Sequence, residues 1–354
     1  MLSPETLKKR LDAFDRVALT HLPTPLEKLP ALSRRVGTLS IHVKRDDQTG
    51  LAFGGNKARK LELIMADALR QGADSVVTWA GVQSNWCRQT AAAAARLGLR
   101  CVLVLLKKPG FPVGYDGNLL LDRILGADVR VVEAEAGRSF LELAAVADLV
   151  EPVVEEERKA GRTPYLAPIG GSLTEGSMTA PLGSLAYVRA FLELYEQAAD
   201  LGVALDAVVH ATGSASTQAG LLAGAKLISP DTRIVGISVA ADRKTVSRYV
   251  EVIANQTLAA LGVGGAVDAE DVIVLDDYLG EGYGILDDRV RNAISLLARE
   301  EGLLLDPVYT GKAMGGMLDL AGRGWFREGE SVVFLHTGGT PALFPYREGL
   351  LSGG

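Results

Sequence analysis

Cysteine and histidine are scarce: Cys87 and Cys101 are the two thiols, and four imidazoles serve 354 residues. Two thiols cannot build a disulfide framework, and so few soft ligands make a metal site unexpected. Surplus positive charge is missing as well. A formal net charge of −6 argues against a general nucleic-acid partner, because neutralising phosphates takes an excess of Lys and Arg. Long apolar runs are absent: Cys101–Leu106 is the longest aliphatic stretch, far short of the roughly 20 residues that cross a bilayer. The opening Met1–Lys8 has no apolar h-region, so no secretory leader and a cytoplasmic location are expected. No internal repeat is visible. Glycine, in contrast, is abundant at 40 residues, against an average of about 7%. At roughly 150 residues per domain, the length fits about two domains.

Ser3-Pro4-Glu5 reads as an N-cap followed by proline at the first helical position, with Leu7, Leu11 and Phe14 on one stripe. Short β-type runs then alternate with helical patterns. Strands are expected at Ser75–Trp79, Cys101–Leu106, Val129–Glu133, Asp206–Ala211, Ile234–Val239, Val272–Leu275 and Ser331–His336. Several are apolar without alternation, as in strands covered on both faces of a parallel sheet. Helices are expected at Arg59–Gln71, Arg88–Leu97, Phe140–Ala160, Ser184–Ala199, Thr217–Leu227, Asp287–Glu301 and Gly311–Ala321. The alternation implies an α/β protein with two open, doubly wound, mostly parallel sheets. A Pro/Gly cluster over Gly161–Gly183 suggests a boundary between them.

Four glycine-rich loops follow strands, where open α/β sheets bind ligands. Gly54-Gly55-Asn56-Lys57-Ala58-Arg59-Lys60 places three cations where a helix dipole prefers anions. Either an anion offsets them, or one lysine is made to lose its proton and become a nucleophile toward carbonyls; a solvated basic helix start is the plain alternative. Gly81-Val82-Gln83-Ser84-Asn85 could grip a carboxylate or simply cap a helix. Ala211-Thr212-Gly213-Ser214-Ala215-Ser216-Thr217 suits a phosphate, with neither a Walker A ending nor the dinucleotide fingerprint. His336-Thr337-Gly338-Gly339 is the fourth. A lysine, a carboxylate site and a phosphate site in one cleft are what a pyridoxal phosphate (PLP) enzyme acting on an amino acid requires.

The chain also resembles a known family: the 1-aminocyclopropane-1-carboxylate (ACC) deaminases, D-cysteine desulfhydrases and L-cysteate sulfo-lyases. The matching segments are HLPTPLEKLPALS at His21–Ser33, KRDDQTGLAFGGNKARKLE at Lys44–Glu62 and QSNWCRQTAAAAARLG at Gln83–Gly98. STQAGLLAG at Ser216–Gly224, DPVYTGKAMGGMLDL at Asp306–Leu320 and HTGGTPALFPY at His336–Tyr346 complete them. The resemblance implies the tryptophan-synthase-β-like fold (fold type II), with the active site in an interdomain cleft. It implies a discontinuous large domain of residues 1–57 and 171–354, a small domain of residues 58–170, and a homodimer.

Carried over by position, the resemblance makes Lys57 the Schiff-base lysine beside Asn56. Gln83, Ser84 and Asn85 become the substrate-carboxylate grip, with Asn85 also approaching the cofactor ring oxygen. Gly213, Ser214, Ala215, Ser216 and Thr217 become the phosphate loop, although Ala215 and Ser216 stand where relatives commonly carry glycine. Tyr309 and Tyr283 resemble two active-site tyrosines, and Thr337 and Gly338 lie in the fourth loop. Thr310 is expected to face the pyridine nitrogen, where ACC deaminases carry a glutamate. A neutral partner there weakens the electron sink and favours α,β-elimination over ring opening. The expected activity is therefore a PLP-dependent lyase that releases a 2-oxo acid and ammonia from a β-substituted amino acid. ACC deaminase and a catalytically weak PLP-binding homologue are the alternatives. Trp86 departs from the pattern, since relatives that eliminate sulfide or sulfite generally have histidine there; it is expected to set the leaving-group preference or to pack in the core. Cys87 reads as a small buried helix residue.

Overall fold

The computed structural model describes residues 1–107, 114–135 and 138–351. Ser3 does cap the first helix, Pro4–Leu11, accepting from the Thr6 amide, and Leu7 and Leu11 are buried. Ten strands form two sheets: β1 (Leu26–Lys28), β2 (Ser40–Lys44), β3 (Ser75–Gly81), β4 (Arg100–Lys107), β5 (Asp128–Glu133), β6 (Pro164–Leu166), β7 (Ala207–Thr212), β8 (Arg233–Ser238), β9 (Ile273–Leu275) and β10 (Ser331–Leu335). One sheet has the order β1-β2-β10-β7-β8-β9, parallel except for β1 against β2. The other is all parallel, β5-β4-β3-β6, and comes wholly from residues 100–166 and β3. Every residue of β3 and β7 is buried, which is why both read as largely apolar without alternation.

The expected strands are present within one or two residues and most expected helices within three: Lys57–Arg70, Asn85–Leu97, Leu182–Leu201, Ser216–Ile228, Asp288–Glu301 and Thr310–Gly322. The helix expected from Phe140 instead begins at Ala147 and ends at Lys159, after a 3-10 turn at Leu143–Ala145. There the Phe140 carbonyl accepts from Trp79 Nε1 at 2.8 Å, tying the backbone to the core rather than to a helical ladder. The helix Arg243–Ala260 was legible but not anticipated: Val246, Val250, Ile253, Ala254 and Thr257 recur at helical spacing and are buried behind an Asp242 cap.

Helix Leu182–Leu201 packs against both Lys57–Arg70 and Ser216–Ile228. Gly220 permits the second contact, since a Cβ there would lie 2.2 Å from the Ser184 carbonyl oxygen. The loops after β3, β7 and β10 thereby converge on the start of helix Lys57–Arg70. Among the described residues no helix is long and apolar enough to cross a membrane.

Candidate active site

These loops line a common cleft. Lys57, Asn56, Ser84, Asn85, Trp86, Gly213, Ser214, Ala215, Thr217, Tyr283, Tyr309 and Thr337 all line it. The three cations at the helix start have different neighbours. Arg59 is paired twice over, with its NH2 at 2.8 Å from both Asp46 and Glu193, and Glu193 is shared with Lys44 at 2.5 Å. This buried network roots the helix without touching the cleft. Lys57 donates to Asn56 Oδ1 at 3.1 Å, and burial lowers its pKa to about 8 against the opposing pull of Asp306. An amine so depressed is partly neutral near pH 7.5 and can attack a carbonyl.

Lys60 is the cation whose role the sequence left unassigned. It is 1% exposed, and its Nζ donates to Ser216 Oγ at 2.7 Å and to the Gly170 carbonyl at 3.2 Å. No carboxylate pairs with it among the described residues. Burial, reinforced by the nearby Lys57, drives its pKa well down. Beside it begins helix Ser216–Ile228, whose N-terminus no side chain caps. Thr212 Oγ1, in the same loop, is buried without a partner among the described residues. An unpaired buried cation, an uncapped helix start and an orphaned hydroxyl are together what a phosphate would complete. The residues fit the phosphate of PLP, and Asn56 Nδ2 ties the loop to the lysine through Thr217 Oγ1 at 3.2 Å. Ala215 takes φ +68 here, the left-handed conformation that explains why glycine suits this position.

Opposite, Ser84 lines the cleft and also caps helix Asn85–Leu97, accepting from the amides of Trp86 and Cys87 at 3.2 and 3.3 Å. The capping and carboxylate-gripping roles are therefore compatible. Tyr283 and Tyr309 meet hydroxyl to hydroxyl at 2.5 Å, with their rings edge to face. Burial raises both phenols above their ordinary pKa, so they hold their protons at neutral pH.

Four of the expected site residues are not among those that line the cleft. Gln83 does not line the cleft: its Oε1 accepts from the Asn118 amide and its Nε2 donates to the Asp116 carbonyl. The Ser216 hydroxyl is taken by Lys60 and Gly170 rather than facing the cleft. Thr310 is fully buried, donating to Asp306 Oδ1 and accepting from the Asp306 amide, both at 2.7 Å, so it is not free to face a pyridine nitrogen. Gly338, at φ +92, is a close-packing glycine whose Cβ would lie 2.8 Å from Gly55 Cα. Trp86 borders the cleft, but its indole N–H points away, donating to Thr78 Oγ1 at 2.7 Å.

A family model described as "Pyridoxal-phosphate dependent enzyme" matches residues 17–338. D-cysteine desulfhydrase of Serratia proteamaculans is 44% identical, covering 96% of this chain and 98% of its own. A Pyrococcus abyssi protein with the provisional name 1-aminocyclopropane-1-carboxylate deaminase is 40% identical, over 96% of each chain. The crystal structure of an ACC deaminase homologue superposes with a TM-score of 0.87 at 38% identity, covering 99% of each chain. The resemblance read from the motifs is thus borne out, together with the fold it implied, and the chain belongs to the pyridoxal-phosphate-dependent enzymes.

Proposed function

We propose that this chain is a lyase that eliminates a β-substituent from a small amino acid, giving a 2-oxo acid and ammonia. The observation that carries this reading is the cleft lining: it holds an amine, hydroxyls and amides, and no Asp or Glu among the described residues. PLP bound there supplies an electron sink for the pair left when the α-proton departs. Without a carboxylate beside it that sink is moderate, which suits loss of an activated β-substituent better than opening of a carbon ring. The name D-cysteine desulfhydrase on a 44%-identical relative supports the same choice.

In this reading Lys57 Nζ, with its depressed pKa, takes and returns the α-proton. Ser84 and the helix start behind it hold the substrate carboxylate, and Asn85 holds the ring side of the cofactor. The Tyr283–Tyr309 pair sets two protonated phenols at the cleft, from which a departing group would take its proton. Residues 58–170 would form the small domain, supported by the self-contained four-stranded sheet, and 1–57 with 171–354 the large one. Exposed Ile124 and Phe344, on helical segments Gly117–Ile124 and Thr340–Tyr346 that pack on one another, support a homodimer. Free buried Cys87 and Cys101 suit a reducing, cytoplasmic setting.

The deciding experiment measures ammonia and 2-oxo acid from D-cysteine, L-cysteine, L-cysteate, β-chloroalanine, D-serine and ACC. Turnover of β-chloroalanine and a cysteine enantiomer above ACC is expected. ACC turned over fastest, with 2-oxobutanoate as product, would establish the ring-opening alternative instead.

A further inference from the structure

The amide of Asn85 is held by a buried frame that no sequence pattern pointed to. Its Oδ1 receives two donors, Arg88 NH1 at 2.9 Å and Asn118 Nδ2 at 3.0 Å. Asn85 lines the cleft, and its Nδ2 has no partner among the described residues. Flipping the amide would set its NH2 group against two donors, so the carbonyl end is locked inward and the donor end outward. Asn118 is itself fixed, accepting from Arg88 NH1 at 2.6 Å and donating to the Gln83 carbonyl at 2.8 Å. The same guanidinium reaches the other jaw: Arg88 NH2 donates at 2.9 Å to the carbonyl of Gly54, three residues before Lys57.

Arg88 is completely buried, its Nε has no partner, and no carboxylate forms a direct ion pair with it among the described residues, although the charges of Asp122 and Asp306 act on it from further off. Burying an unpaired cation is costly. A planar fork of five donors, however, is the one side chain able to serve two amide oxygens and a distant carbonyl at once.

We infer that Arg88, with Asn118, is a positioning residue that aims the Asn85 N–H at the oxygen of the cofactor ring and fixes the Lys57 loop against it. The inference rests on the assignment of the cleft to PLP. A donor held to an anionic ring oxygen favours the deprotonated form of the lysine-bound cofactor, so losing the donor makes that group keep its proton to higher pH.

The test follows the visible absorption band of the bound cofactor through a pH titration of the holoenzyme. Arg88→Met, Asn118→Leu and Asn85→Leu should each raise the midpoint, by about 1 pH unit, the scale of one hydrogen bond to a charged group. Arg88→Lys, a point donor that cannot span both acceptors, should fall between wild type and Arg88→Met. The double variant Arg88→Met/Asn85→Leu should shift no further than Asn85→Leu alone, because both changes remove one donor. Unmoved midpoints in Asn118→Leu and Arg88→Lys, which make the smaller changes, would overturn the inference, as would additive shifts in the double variant. A wild-type protein that binds no cofactor would overturn the reading beneath it instead, so the two failures are distinct.

Discussion

Replacing Lys60 by methionine should move two properties in opposite directions. In the cofactor-free protein this ammonium is buried against a serine hydroxyl, a backbone carbonyl and the face of Tyr187, with the ring centroid 5.5 Å away. None of these neutralises it, and Lys57 repels it. Methionine matches the stem in length and carries no charge, so Lys60→Met should stabilise the apoprotein by about 1–3 kcal/mol, the cost of a poorly satisfied buried polar group. With phosphate present the sign reverses. Lys60 stands behind the cleft lining, so it acts on the phosphate through its charge and through Ser216, and PLP affinity should fall by about two- to tenfold, the scale of one ordinary hydrogen bond. Urea unfolding of the stripped protein measures the first quantity, and equilibrium dialysis with PLP the second. A destabilised apoprotein with unchanged PLP affinity would show that Lys60 only braces Ser216 and Gly170, and the assignment of the phosphate to this loop would lose its main support.

Trp86→His should change the specificity constants for cysteine and cysteate less than severalfold unless the new ring abandons Thr78, because the indole N–H already points away from the cleft. A large gain for cysteate alone would show that residue 86 reads the leaving group directly. Asp122 is fully buried with neither oxygen partnered among the described residues, and burial pushes its pKa up to about 8. Between about pH 4 and 8 the folded protein therefore holds a proton that the unfolded chain has lost, so this group's contribution to stability is present at low pH and declines as pH rises. Asp122→Asn should flatten that decline, and unfolding free energies measured across the window that fall equally steeply in both proteins would refute it.

The fold was legible because strands buried on both faces cannot hide: β4 carries the unbroken apolar run Cys101–Leu106, and β7 is mostly apolar without alternation. The edge strands β1 and β6, three residues each, were not, since pairing with a neighbour rather than local pattern makes them strands. In the site, loop residues whose backbone shapes the cleft were recovered, but the direction of individual side chains was not. Thr310 and Gln83 each sit one position from a cleft residue and turn the other way, captured by Asp306 and by Asp116 and Asn118 at the start of helix Gly117–Ile124. Lys60 was visible as a charge out of place at a helix start. Its partners come from residues 170 and 216, distances in sequence that no local pattern reports.

The central claim is that Lys57 carries the cofactor. Borohydride reduction of the purified holoenzyme, followed by proteolysis and mass spectrometry, tests it without any assumption about substrate. The expected result is one phosphopyridoxyl group on the peptide containing Lys57, absent from Lys57→Ala, with apoprotein uptake of PLP rising with pH around a midpoint near 8 as the amine loses its proton. Modification found at Lys60, Lys226 or Lys312, or retained in Lys57→Ala, would contradict it.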